Sequence, residues 1–206
     1  MSSSGESRGL GRIKHEGVRL DYNDADHVLR ASVRADTDGK HANTKDNTPA
    51  VINYSIVPGD TLEIDVAAKG GGSEAKSKFA MLNPSDSVVD WVLEQIPKMG
   101  AGWCPPGMLG IGIGGTAEKA MLIAKEALMD PIDIHELQAR GAQTRSEELR
   151  LELFEKVHAP GVGAQRLGGL TTVLDVKVLH HPTHAANKPV ALLPNSAATR
   201  HATFLL

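Results

Sequence analysis

Residues 107–128 read GMLGIGIGGTAEKAMLIAKEAL, a strand-like run that turns into helical spacing across two adjacent glycines. Met108–Ile113 is short, apolar and bounded by glycine, the mark of a strand buried in a sheet. Beyond Gly114-Gly115, the residues Ala120, Ile123, Ala124 and Ala127 recur at helical spacing, which predicts a helix over Thr116–Leu128 with one apolar stripe. A strand that feeds such a helix needs layers on which to bury both, so the chain is constrained to a layered α/β arrangement.

The flanking sequence fits that frame. Val51–Val57 and Thr61–Ala67 flank Pro58-Gly59-Asp60, and Leu62, Ile64 and Val66 alternate with Glu63 and Asp65, which predicts a β-hairpin. Ser85 or Asp86 is placed to cap a helix running to about Met99, with Val88, Val92 and Ile96 on one face. A further helix is predicted over Ser146–His158, where Thr144 and Glu147 have the spacing of a capping box. Thr171–Leu179 is rich in β-branched residues and predicts a strand with Leu174, Val176 and Val178 on one face. Residues 1–20 are polar and read as a loose leader, Asp24–Ala35 has weak helical character, and Asp36–Thr48 is rich in turn formers. The expectation is one mixed α/β domain over 21–206.

Composition excludes several classes. A net charge of -3 gives no bulk drive toward nucleic acid or anionic membrane, and 3% aromatic residues leave few stacking platforms. Apolar runs fall far short of the roughly 20 residues that span a bilayer. The first residues, MSSSGESRGLGR, lack the apolar core of a signal peptide, so a cytoplasmic location is expected. The one cysteine, Cys104, rules out an internal disulfide.

Four stretches carry candidate chemistry. Gly110-Ile-Gly112-Ile-Gly114-Gly115-Thr116 opens a helix, so bare backbone and unpaired N–H groups could meet an anion; the other reading is a tight turn between packed elements. Its spacing is not the dinucleotide fingerprint. Lys69, Gly70, Gly71, Gly72, Ser73 and Lys76 resemble a cradle for a small anion, or a flexible loop from strand to helix. His180 and His181, being adjacent, would point to opposite sides of a strand, which leaves His184 with the clearer route to a site. A mononuclear metal hydrolase built on these three histidines lacks a carboxylate to complete its ligand set. Cys104 stands between Trp103 and Pro105-Pro106, which would hold a thiolate in one direction.

The longer runs AKGGGSEAKS, WCPPGMLGIGIGGTAEKAMLIAKEAL, GVGAQRLGGLTTVLDVKV and PTHAANKPVALLPNSAATRHATF, with LRASVRAD and NTPAVINYSIVPGDTLEI upstream, occur in one order. Together they resemble the N-terminal catalytic domain of class I (iron–sulfur) fumarate hydratases and the related tartrate dehydratase α subunits, over roughly residues 12–206. The resemblance implies the α-domain fold of the iron–sulfur hydro-lyases. It also implies a 4Fe-4S cluster held by three cysteines, whose open iron acts as a Lewis acid on malate. By the same resemblance Cys104 is a cluster ligand and His184 a catalytic residue. Arg30, Lys69, Gly70, Gly71, Gly72, Ser73 and Gln165 would bind the dicarboxylate, fumarate or malate. A guanidinium such as that of Arg30 is also, on chemistry alone, the best clamp for a carboxylate.

Departures from the family pattern shape the expectation. The family's first cysteine, in a Cys-Gln-Asp-Thr-Gly motif, would lie upstream, and Ser196 stands where the third is expected. Ala75 replaces a common asparagine and Thr203 a usual histidine, and a second domain or partner subunit would follow Leu206. One cysteine cannot supply three thiolates, so the chain is expected to be a fragment or degenerate member of the fumarate-hydrating hydro-lyases. The alternative is a non-catalytic dicarboxylate-binding or assembly module that pairs with a full-length or β subunit, or forms a homodimer.

Overall fold

The computed structural model describes residues 15–24, 31–35 and 42–206, and the chain groups into two compact units, Met1–Asp60 and Thr61–Leu206. In the first unit α1 covers 15–23, so part of the expected leader is helical, while residues 1–14 lie outside the described residues. Residues 31–35 are not helical, and Arg34 forms an antiparallel bridge with Asn43. The Asn47 side-chain oxygen accepts hydrogen bonds from the backbone N–H of Ser32 (2.8 Å) and Val33 (3.1 Å).

The second unit is mixed α/β. Its strands are β1 (Glu63–Ala68), β2 (Lys78–Leu82), β3 (Gly107–Gly114), β4 (Val173–His181), β5 (Lys188–Ser196) and β6 (Arg200–Leu205). Its helices are α2 (Gly71–Glu74), α3 (Val88–Lys98), α4 (Ala117–Ala127), α5 (Ile134–Arg140) and α6 (Arg145–His158). A four-stranded sheet has the order β2-β5-β3-β4, with β3 and β4 parallel and the other pairs antiparallel. β1 and β6 form a separate antiparallel pair.

The predicted hairpin is therefore corrected. Residues 51–57 form no strand, and β1 takes its ladder from β6, more than 130 residues on, with Ile64 opposite Phe204 and Ala67 opposite His201. Alternation reports that a segment is strand-like but not which segment it pairs with.

Side-chain alternation along β3 sets the layers. Leu109, Ile111 and Ile113 join α3 (Val89, Val92, Ile96) and α6 (Leu149, Leu153, Val157) in the main core. Gly110 and Gly112 present bare backbone to α4 on the other face. The four predicted residues of the α4 stripe, Ala120, Ile123, Ala124 and Ala127, are all buried. β5 divides its residues in the same way: Val190 and Leu192 belong to the main core, Ala191 and Leu193 to the α4 side. Gly114 and Gly115 have φ of +94° and +71°, so the strand-to-helix turn needs glycine at both positions.

Helix ends follow from local chemistry. α6 begins with a complete capping box between Thr144 and Glu147. α3 is capped by Ser87, not Ser85 or Asp86, and its buried face is Val89, Val92 and Ile96. Asp86 instead accepts from the Asn83 backbone N–H at 2.8 Å.

Candidate functional site

The ladder gathers several of the predicted residues at one end of β3. Gly107 pairs with Ser196, and Cys104 precedes that strand by three residues. Cys104 is exposed and sits at φ +59°, between fully buried Trp103 and the Pro105-Pro106 pair. The Gln165 backbone N–H donates to the Pro105 carbonyl at 2.7 Å, which brings the 3₁₀ turn Ala164–Arg166 against the cysteine loop.

The glycine loop joins from the other side. Lys69 follows β1, Gly70 starts the single turn of α2, and buried Ser73 donates its hydroxyl to the Trp103 carbonyl at 3.2 Å. A Cβ on Gly70 would lie 3.8 Å from Ser73 Oγ and 4.0 Å from Ser196 Oγ, so the two loops meet there. A Cβ on Gly71 would meet no atom within 4 Å, and one on Gly72 only the Gly102 carbonyl at 3.8 Å. The triple glycine is thus not required by packing; it leaves open space above the backbone.

Lys69 is half-buried, and its Nζ lies 2.5 Å from Nε2 of His201. Burial, and then the neighbouring Lys125 ammonium, push the Lys69 amine down to about 8, against a weaker opposing pull from Glu74. His201 is also lowered, by burial first and by Lys69 next. The pair is therefore an ammonium donating to a neutral imidazole.

This arrangement has a pH consequence. Between about pH 8 and the ordinary lysine value of about 10.4, the unfolded chain holds a proton at Lys69 that the folded chain has released. Unfolding free energy from this group therefore rises with pH across that window, and the full cost of burying the charge is present below it. Lys69→Met is expected to stabilise the protein at pH 7 by ~1 kcal/mol, once the partial exposure is allowed for. The gain should vanish by pH 10.5, in urea titrations at both values; an equal gain at both would exclude charge burial as its cause.

Other predicted residues lie elsewhere. His184 is exposed, and its Nδ1 accepts from the Ala186 backbone N–H at 3.1 Å. It borders an open depression of about 550 Å³ with Gly115, Thr116, Lys119 and His181. That is the Gly114 end of β3, where Gly114 pairs with His181. Eight strand residues separate it from the Cys104 end, a distance of about 23 Å. His184 is not brought to the Lys69 loop within one chain. His180 turns to α6, its Nδ1 2.6 Å from Ser146 Oγ, while His181 lies against Gly115, so the adjacent histidines diverge as expected for a strand. Arg30 lies outside the described residues.

Two members of the neighbourhood were not expected from sequence. His201 is placed by the β1–β6 pairing, and Asn195 is 2% exposed with an Nδ2 that finds no partner. Both lie in the run PTHAANKPVALLPNSAATRHATF that carried the resemblance, but nothing in its spacing singles out either side chain. Among the described residues, no group of three or more His, Cys, Asp or Glu side chains could hold a metal ion.

The glycine, cysteine and Ser196 segments that meet here are those that carried the family resemblance. The model of the fumarate hydratase (Fumerase) family matches residues 4–205. The chain is 41% identical over 147 residues to a putative L(+)-tartrate dehydratase subunit alpha of Methanocaldococcus jannaschii, covering 68% of this chain and 49% of that protein. It is 32% identical over 168 residues to the L(+)-tartrate dehydratase subunit alpha of Escherichia coli O157:H7, covering 80% of this chain and 54% of that protein. The chain thus spans about half the length of the curated relatives it matches. With residues 4–205 of its 206 matched by the family model, the chain belongs to the fumarate hydratase (Fumerase) family of hydro-lyases.

Proposed function

We propose that this chain binds a small dicarboxylate of the fumarate, malate or tartrate type, and that on its own it turns over little of it. The observation that carries the reading is the Lys69–Ser73 loop. It sets one ammonium beside uncovered backbone at the point where the Cys104, Gln165 and Ser196 segments converge. An ammonium and free amide N–H groups recognise carboxylate oxygens by charge-assisted hydrogen bonds.

Family membership implies a 4Fe-4S cluster, which would supply a Lewis-acidic iron for removing or adding water. The residues present do not fit it. One thiol is available, and Ser196 offers a hydroxyl, a poor ligand for soft iron–sulfur chemistry.

Calorimetry with L-malate, fumarate and L(+)-tartrate tests the binding. Saturable heat at millimolar ligand, lost in Lys69→Met, is expected; no heat with any of the three would overturn the reading. Anaerobic reconstitution with iron and sulfide tests the turnover. Broad visible absorption together with fumarate hydration would overturn the prediction of inactivity.

A second reading is favoured by the β1–β6 pair. Val66 and Phe204 stay about half exposed (49% and 52%) on one face of that two-stranded sheet. The relatives are named as alpha subunits, so the same face suits a complementary β subunit. Light scattering of the chain alone and with such a subunit distinguishes a heteromer from a homodimer or a monomer.

A further inference from the structure

Beside Lys69 lies a second, small feature on the face of the sheet that α4 covers. Ala191 and Leu193 of β5 pack against α4. Strand alternation sends Asn195 to that same face and Ser196 to the other. Asn195 lines a small cavity with Lys69, Gly70, Glu74, Lys125 and Leu193, with room of about 10 Å³ for one water-sized group. Its Nδ2 is buried and unpartnered in the structure, and a buried amide donor without an acceptor pays its full desolvation cost. Among the described residues nothing accepts from it, so this amide is open to an acceptor from outside the chain, a water or a ligand oxygen.

The charges around the cavity say what kind. Lys125 is already paired with the Glu74 carboxylate at 2.6 Å. Lys69, among the described residues, is in no ion pair: its ammonium meets a neutral imidazole and feels Glu74 only as a weaker, more distant pull, so its charge is the less compensated one at this wall. His201 is fixed on β6 opposite Ala67, and by accepting one N–H it limits where the remaining two ammonium hydrogens can point.

We propose that Lys69 and the Asn195 amide form a subsite for one oxygen of a carboxylate, with His201 as the positioning residue that aims Lys69 into it. The inference rests on the dicarboxylate reading, to which it adds an address for one end of the ligand.

The test follows the side-chain ¹⁵N signal of the Lys69 ammonium in the full chain, assigned by its loss in Lys69→Met, while sodium acetate or L-malate is added. Both probes are expected to move the signal saturably. Asn195→Leu should weaken the apparent affinity by about tenfold or more, the size of one lost charge-assisted hydrogen bond. Asn195→Asp, nearly isosteric, should abolish the response and guards against misfolding of the leucine variant. His201→Ala should weaken binding and broaden the signal. His201→Gln, whose amide oxygen accepts the same N–H, should restore both. The subsite is overturned if the wild-type signal ignores acetate and L-malate alike, as it would were the cavity simply filled by water. It is also overturned if the Asn195 and His201 variants bind as the wild type does. Calorimetric binding of L-malate without a shift at Lys69 would overturn the subsite and keep the dicarboxylate reading. A shift with acetate but none with L-malate would do the reverse.

Discussion

Replacing Arg150 by methionine is expected to cost about 3–5 kcal/mol of stability, and to lower the melting temperature by about 10 °C. Arg150 is 1% exposed and lies on α6, yet its guanidinium reaches round the free edge of β4. It donates to the Val176 carbonyl at 2.8 Å, the Asp130 carboxylate at 3.1 Å, the Ile132 carbonyl at 2.7 Å and the Asp175 carboxylate at 3.3 Å. Lys177 completes the group, with its ammonium 3.1 Å from Asp175 and 2.9 Å from the Asp130 carbonyl. Asp175 also accepts from the Ile134 backbone N–H at 3.1 Å, which ties the 130–134 segment to the sheet edge. Two cations and two carboxylates compensate one another, and every carbonyl named has its donor.

Removal of Arg150 leaves Asp130 and the Val176 carbonyl without that partner and the Ile132 carbonyl to Lys177 alone, in a place water reaches poorly; that is why the loss is large. The surface pair Lys156–Glu152 has a shorter separation, 2.7 Å, but its side chains are 50% and 38% exposed. Lys156→Ala should therefore leave stability almost unchanged. Urea titrations of the two variants make the comparison. A loss below about 1 kcal/mol for Arg150→Met would show that the edge relaxes and rehydrates. Raised salt should barely change the Arg150 effect, because buried pairs are poorly screened.

That network also explains one limit of sequence reading. LDVKV looks like a strand with one apolar face, but the ladder steps from Gly107↔Val173 to Met108↔Asp175, which bulges Leu174 out to solvent. Asp175 and Lys177 are buried instead because Arg150 and the 130–134 segment cover them. A residue near position 150 closing a strand edge near 175 has no local sign. β5 escapes for another reason. Two prolines, Pro189 and Pro194, argue against a central strand. Its neighbours are staggered, however: β2 pairs with it from Lys188 to Leu192 and β3 from Val190 to Ser196. Each proline falls where β5 has only one neighbour, so its missing N–H need not break a ladder. By contrast, α4 and the start of α6 depend on spacing within a few residues, and the sequence specified both.

The site divides along the same line. Lys69 through Ser73 is a compact run whose chemistry is visible from its letters, and Cys104 stands out as the sole thiol. The partner of Lys69 is 132 residues away, brought there by a strand pairing that no local pattern encodes. His184 is near Ser196 in sequence, but β5 runs the length of the sheet between them and carries them to opposite ends.

Gly112→Ala is expected to destabilise the protein by ~3 kcal/mol, the upper end of the usual cost of overpacking a core. A methyl there would fall on the Ala120 carbonyl oxygen, within 2.6 Å of the Ala124 backbone nitrogen and 2.7 Å of Ile123 Cγ1. Two of these atoms belong to the α4 backbone, so no rotamer change relieves the clash, and the helix must lift off the sheet. Gly110 has the same relation to the Ala124 carbonyl one turn further on. The small residues on α4 and the glycines on β3 are thus two halves of one close contact. The anion reading of this glycine run applies at most to the turn at Gly114-Gly115. Gly71→Ala supplies the contrast, since its methyl would enter open space and alanine is the better helix former by up to about 1 kcal/mol. That variant should keep or raise stability while reducing L-malate binding. Denaturation and calorimetry on both variants separate the roles: a stable Gly112→Ala protein that had lost ligand binding would overturn the packing assignment. A Gly71→Ala protein that bound L-malate unchanged would remove the open loop from the binding site.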